Sequence, residues 1–220
     1  MLADAAPAVH ALLRVSDLDA LVWEAGRPGW ASASLQRAPW VVMRRPAPRS
    51  GVWPVGVRGG LRAHRGAAWL PGHLVRECMT PQQLAAKRAW RQRPCTLLAP
   101  AVASLDEVAA IMAGHGFAGH WGPGGSVGFE LASGVSSTTS GSDLDLVLRA
   151  DAPMPRSAAI RLHADLTKLA VRVDLQLETP LGAVLLAEYV KTVDTTLLRT
   201  AVGPRLVRDP WRAGSTAGRV

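Results

Sequence analysis

Cysteine is nearly absent from this 220-residue chain: Cys78 and Cys95 are the only two, and no CxxC pair occurs. That excludes a disulfide framework and a zinc ribbon, and it predicts two reduced, buried thiols in a cytoplasmic protein. Long apolar runs are also missing. None reaches the ~18 residues of a membrane-spanning helix, so no membrane is expected among the partners. The opening segment, MLADAAPAVHALLRVSDLDA, has no basic n-region and carries Asp4, Asp17 and Asp19, which argues against a secretory signal. His64, His73, His115, His120 and His163 lack metal-ligand spacing, and there is no internal repeat. What remains is a globular composition, 48% hydrophobic and 19% charged, of a length that suits one large domain or two small ones.

Carboxylates are missing from one long stretch. None occurs between Glu24 and Glu77, yet nine arginines do: Arg27, Arg37, Arg44, Arg45, Arg49, Arg58, Arg62, Arg65 and Arg76. The net charge of +8 is therefore concentrated in residues 1–93, where 14 basic residues meet 5 acidic ones. Such a run fits a solvated basic face. It fits equally a surface for phosphates, nucleic acid or an acidic protein, because guanidinium forks match phosphate oxygens bidentately.

Local patterns predict two halves. Residues 40–45 and 53–59 read as strands separated by Pro46, Pro48 and Gly51. A helix starts at Pro81 behind Thr80, with Gln83 closing a capping box, and runs to about Arg91. Pro94 begins a joint. Ser104 and Glu107 form a second capping box opening a helix over 105–114, which stops at Gly114 and Gly116. Residues 156–169 and 181–191 have helical spacing. Asp209-Pro210-Trp211 reads as an anchor, and residues 213–220 as a disordered tail. The eight tryptophans read as packing rather than base-stacking platforms.

Two strands carry the chemistry. In Asp143-Leu-Asp-Leu-Val-Leu-Arg149, strand periodicity puts Asp143 and Asp145 on one face and Leu144, Leu146 and Leu148 on the other. Adjacent carboxylates repel unless a cation sits between them, and oxygen donors select Mg²⁺, with Mn²⁺ as the other candidate. In Val171–Glu178, Arg172, Asp174, Gln176 and Glu178 share a face. If the two strands pair, Asp174 joins the other carboxylates in a metal clamp suited to in-line displacement at phosphorus. Upstream, Trp121-Gly-Pro-Gly-Gly-Ser-Val-Gly128 can offer backbone N–H groups to an anion. The run lacks the lysine of a Walker loop and the third glycine of a dinucleotide fingerprint, so alone it reads as a tight turn. His120 beside it reads as packing or a surface hydrogen bond. Glu130 suits either support of the site or a turn cap.

A glycine–serine turn, a short helix and a strand with paired aspartates together resemble the polymerase-β-like nucleotidyltransferase superfamily. Sixteen residues separate Ser126 from Asp143, a spacing lengthened by the polar stretch 136–142. The segments WGPGGSVGFELASG, SDLDLVLRA, VDLQLETPLGAVLLAEY, LLRTAVGPRLVRDPW and APWVVMRR…PVGVRGGLRAHRGAAW are similar to malonate decarboxylase holo-acyl carrier protein synthase, also called phosphoribosyl-dephospho-CoA transferase. The resemblance spans residues 9–211.

The resemblance implies an α+β protein. A small basic α+β substrate-binding domain (1–93) precedes a nucleotidyltransferase domain with a mixed sheet (94–212). It implies transfer of the phosphoribosyl-dephospho-CoA group from 2′-(5″-triphosphoribosyl)-3′-dephospho-CoA to a serine of the apo acyl carrier subunit of bacterial malonate decarboxylase, with diphosphate released. Asp143, Asp145 and Asp174 would be catalytic and hold Mg²⁺ or Mn²⁺. Gly124, Gly125 and Ser126 would bind the leaving phosphates. Arg58 and Arg62 are the first arginine candidates for the precursor's phosphates, ahead of Arg44, Arg45 and Arg65. Nucleic acid is not an expected partner. The rival readings are a nucleotidyltransferase acting on RNA or another hydroxyl, the equivalent citrate lyase carrier protein transferase, and a non-catalytic basic binding module.

Overall fold

Period-two stretches dominate the first eighty residues, and there they become strands. The computed structural model describes residues 6–61, 63–92, 99–192, 194–214 and 216–218. The chain falls into two compact units: residues up to Thr80 with Phe129–Ser137, and Pro81–Gly128 with the residues from Thr138 onward. The expected joint at residues 93–94 lies outside the described residues.

The first unit contains β1 (Leu12–Val15), β2 (Val22–Trp23), α1 (Ala31–Arg37), β3 (Trp40–Met43), β4 (Val52–Arg58), β5 (Arg65–Pro71) and β6 (Val75–Met79). Its strands form one sheet in the order β2-β5-β4-β3-β1-β6, and each neighbouring pair is antiparallel. Leu13, Val15, Leu35, Val41, Met43, Val55, Val57 and Leu70 belong to one buried cluster, to which α1 contributes Leu35. Cys78, on β6, is a free thiol whose pKa is raised by burial; Cys95 lies outside the described residues.

The second unit opens with α2 (Pro81–Lys87), α3 (Pro100–Ala103) and α4 (Leu105–Gly114). It continues through β7 (Trp121–Pro123), the first turn of α5 (Gly125–Ser133), whose residues from Phe129 belong to the first unit, β8 (Leu144–Arg149), α6 (Arg156–Leu166), β9 (Val173–Thr179) and β10 (Gly182–Leu185). It closes with α7 (Leu186–Lys191), β11 (Thr196–Thr200), β12 (Gly203–Val207) and β13 (Thr216–Gly218). The sheet order is β13-β12-β11-β10-β9-β8-β7. β8 and β9 run parallel, joined by the crossover helix α6 that parallel neighbours require. The other pairs are antiparallel, so the sheet is mixed and the protein is α+β.

Parity places Leu144, Leu146, Leu148, Leu175 and Leu177 on the buried face of the sheet. The helices bury apolar faces of their own, Leu105, Val108 and Met112 on α4 and Ala159, Leu162 and Leu166 on α6. The anchor forms as expected: the Trp211 indole N–H donates to the Ala150 carbonyl at 2.6 Å, and the Thr179 hydroxyl donates to Pro210 at 2.9 Å.

Several elements differ from the sequence patterns. α2 stops at Lys87 because Arg88 takes a left-handed φ of 45°, and a 3-10 turn over Ala89–Gln92 follows. No capping box forms at Ser104. Its hydroxyl donates back to the Pro100 carbonyl at 3.0 Å, because α3 ends where α4 begins. α6 ends at Leu166, three residues early. Residues 181–191 split into β10 and α7. Gly182, at φ 151°, turns the chain back onto β9, and a Cβ there would lie 2.5 Å from the Arg199 carbonyl oxygen. Residues 216–218, expected in a disordered tail, pair with β12.

Candidate active site

The parallel register sets Asp145 directly beside Asp174, with Leu144 beside Val173 and Leu146 beside Leu175. Neighbouring strands lie about 4.8 Å apart, so two carboxylates issue side by side from one sheet face. Asp143 stands just before β8 and two residues from Asp145, on that same face by parity. The Leu144 N–H donates to the Arg172 carbonyl at 2.9 Å, which carries the pairing back to this point. Leucines behind and carboxylates in front explain why the strands fold this way round: reversing either one would bury the acids.

Arg172 was not among the residues the sequence singled out. Its guanidinium lies 3.2 Å from Oδ2 and 3.3 Å from Oδ1 of Asp174. Strand parity alone could have pointed to it, since it shares the carboxylate face. The cation between the carboxylates that the sequence calls for is thus met, on the Asp174 side, by a side chain that is 72% exposed and so free to move.

The glycine run closes against Asp145 from the other side. The Gly124 N–H donates to the Asp145 carbonyl at 2.9 Å, which docks the turn onto β8. Gly125 has φ 53°, and a Cβ there would fall 1.8 Å from Asp145 Oδ2 and 2.7 Å from Cγ. The residue must therefore lack a side chain for two reasons, its conformation and its neighbour. Ser126, buried, follows on the first turn of α5, whose leading N–H groups point out of the helix toward any anion at that end. Gly125→Ala is expected to lower turnover about 100-fold while costing only about 1–2 kcal/mol of stability, because the displaced carboxylate can swing but then leaves its site. Steady-state turnover beside a thermal melt checks this.

The donor set on this face consists of carboxylate oxygens, the chemistry that Mg²⁺ and Mn²⁺ favour. Asp145 and Asp174, in register, with Asp143 beside them, fit such an ion in donor type and in face. Among the described residues no group of three or more His, Cys, Asp and Glu side chains is already gathered for a metal.

The arginine candidates lie in the first unit. Arg58 ends β4 directly opposite Arg65 on β5, two like charges in register. Arg58 already has a partner of its own, and two guanidinium groups side by side suit an anion besides. Arg65 donates to the His64 carbonyl at 3.1 Å, and Arg45 also has a partner. Arg44 is not uncompensated as the sequence suggests: it forms an ion pair with Glu24 at 2.7 Å, and Arg27 pairs with Asp19 at 2.8 Å. The carboxylates come from just before the acid-free stretch, brought in by the fold. Arg49 lies over the Trp69 ring. Arg62 lies outside the described residues. Glu130 is buried on α5 and accepts the Ser137 N–H at 2.8 Å, tying down the start of the polar stretch. The His120 carbonyl accepts from Arg149 N–H, a structural contact.

Residues 83–210 match the family model described as the phosphoribosyl-dephospho-CoA transferase MdcG C-terminal domain. A phosphoribosyl-dephospho-CoA transferase of Azotobacter vinelandii is 40% identical over 206 residues, 94% of this chain and 95% of the relative. One of Pseudomonas syringae pv. tomato is 41% identical over 215 residues, 92% of each chain. One of Klebsiella pneumoniae is 35% identical, over 93% of this chain and 96% of the relative. No solved structure matches the chain.

Proposed function

Because the chain belongs to the MdcG family of phosphoribosyl-dephospho-CoA transferases, we propose that this transferase moves the phosphoribosyl-dephospho-CoA group of 2′-(5″-triphosphoribosyl)-3′-dephospho-CoA onto a serine of the apo acyl carrier subunit of malonate decarboxylase. The observation that carries the reading is the pairing of Asp145 with Asp174 in register while the Gly124–Gly125 turn is docked on Asp145 itself. Phosphate cradle and carboxylates then meet at one point of the sheet.

In this reading the serine oxygen forms a bond to the α-phosphorus, the bond from that phosphorus to the bridging oxygen breaks, and diphosphate departs. The hydroxyl proton passes to solvent. Asp145 and Asp174, with Asp143, would hold Mg²⁺ or Mn²⁺, and such an ion supplies neutralisation of the charge that builds on the phosphoryl oxygens. The turn at Gly124, Gly125 and Ser126 orients the leaving phosphates through backbone N–H groups. Arg172 releases Asp174 as the polyanion arrives and turns its own charge toward phosphate, a change its exposure permits.

Mass spectrometry of the apo carrier protein after incubation with the precursor, Mg²⁺ and this protein tests the reading. A single added phosphoribosyl-dephospho-CoA mass on one serine is expected, and an unmodified carrier would overturn it.

In the same reading the opposed Arg58 and Arg65 serve the precursor's phosphates. Arg58→Ala is expected to weaken precursor binding by about 1.5–3 kcal/mol, or roughly 10- to 150-fold in Kd, with the fold intact. Calorimetric titration of the precursor into Arg58→Ala and Arg62→Ala checks it. Parent-like affinity in both would assign the basic unit elsewhere.

A further inference from the structure

A cavity of about 540 Å³ opens beside Asp174, within the second unit. Its apolar walls include Leu169, Leu175 and Leu185, and His163, Arg172 and Lys191 supply the polar part together with Asp174 itself. The volume falls within the range of small-ligand sites. Its place relative to the glycine turn is informative. Sheet order is β10-β9-β8-β7 and the turn follows β7, whereas the cavity is lined by the end of α6, the connection into β9, the start of β9, the end of β10 and α7. Asp174 thus lines the cavity, while Asp145, its partner in the sheet, carries the glycine turn.

An in-line displacement has its attacking and leaving oxygens on opposite sides of phosphorus. A leaving group seated on residues 124–126 departs on the β7 side, so the incoming hydroxyl must arrive on the β9–β10 side. Charge agrees with an acidic visitor. Lys191, exposed at the end of α7, makes no ion pair among the described residues. The carboxylates on the flanking helices are engaged elsewhere. Asp165 binds His115 and Lys168, each within 2.8 Å, and Glu188 binds Arg199 at 3.0 Å.

We propose that this cavity is the acceptor subsite, receiving the serine-bearing segment of an acidic carrier protein, with Lys191 at its rim selecting that partner by charge. The proposal rests on the transfer reading above and adds to it where the acceptor binds.

The experiment measures KM for the apo carrier at saturating precursor, and KM for the precursor at saturating carrier. It does so in the parent, in Lys191→Glu, in Ala170→Trp and in Arg161→Glu. Ala170 is exposed and lines the cavity, so a tryptophan there fills it. Arg161 is exposed on α6 and does not line it. The expected result is a rise of about 10-fold in carrier KM for Lys191→Glu, and more for Ala170→Trp, with precursor KM within about twofold of the parent and Arg161→Glu close to it. Unchanged carrier KM in both cavity variants overturns the proposal. So does a rise in precursor KM instead, which would give the cavity to the nucleotide. A parent protein that transfers nothing to the carrier overturns the transfer reading itself, and is thereby distinguished from failure of the subsite alone.

Discussion

Asp145→Asn is expected to cut transfer by about 10³-fold or more, equivalent to some 4 kcal/mol of transition-state stabilisation, while the protein stays folded. Asp145 is the one carboxylate that touches both halves of the site, beside Asp174 in the sheet and over Gly125 in the turn. An amide is nearly the same size but brings no charge, so in the proposed reading Mg²⁺ or Mn²⁺ held there would lose a ligand. Stability should hold within about 1 kcal/mol, because the side chain is exposed. Single-turnover labelling of the carrier, read beside a thermal melt, separates the two effects. Turnover within tenfold of the parent would remove Asp145 from the chemistry. Asp174→Asn should follow the same pattern, and additionally frees Arg172.

Gly122→Ala is expected to damage the fold rather than the chemistry. A Cβ at Gly122 would stand 1.8 Å from the Pro81 carbonyl oxygen, 2.0 Å from its carbon and 2.7 Å from the Gln82 nitrogen. These are backbone atoms at the start of α2 and cannot rotate aside. Either α2 retreats from β7 or β7 pulls away from β8, where Gly122 pairs with Val147. The cost should reach about 3 kcal/mol or more, at the upper end of overpacking, and lower Tm by roughly 10 °C for a chain of this size. Calorimetric melting decides it. A melting point within about 2 °C of the parent would mean that α2 and β7 can slide apart freely.

The two aspartate strands were legible because their patterns are strict. Period two with leucines on one side leaves a single arrangement once a buried face exists, and Asp143, Asp145 and Asp174 follow from it. The glycines at 124 and 125 were legible as a turn, but their closeness to Asp145 was not, since only the docking of the turn on β8 creates it. Residues 181–191 misled because LGAVLLAEYVK satisfies helical spacing, and its first half is claimed by pairing with β9, a long-range effect that local periodicity does not contain. Ser104 misled for a different reason. A capping box needs a free helix start, and α3 lies directly in front. The ion pairs Arg44–Glu24 and Arg27–Asp19 were hidden by counting charge along the chain rather than across the sheet. Arg172 was within reach of strand parity, whereas the cavity beside it needed α6, β10 and α7 in place.

The parallel pairing of β8 with β9 also constrains how this chain can change its length over generations. Asp145 meets Asp174 only in one alignment, and side chains alternate. One codon gained or lost inside either strand would turn an aspartate toward the buried leucines and a leucine toward the carboxylate face. The polar stretch 136–142 and the loop at 150–155 bear no such constraint, and lengthening them costs little closure entropy. Insertions and deletions that keep the Asp145–Asp174 register are therefore expected in those connections rather than inside β8 or β9.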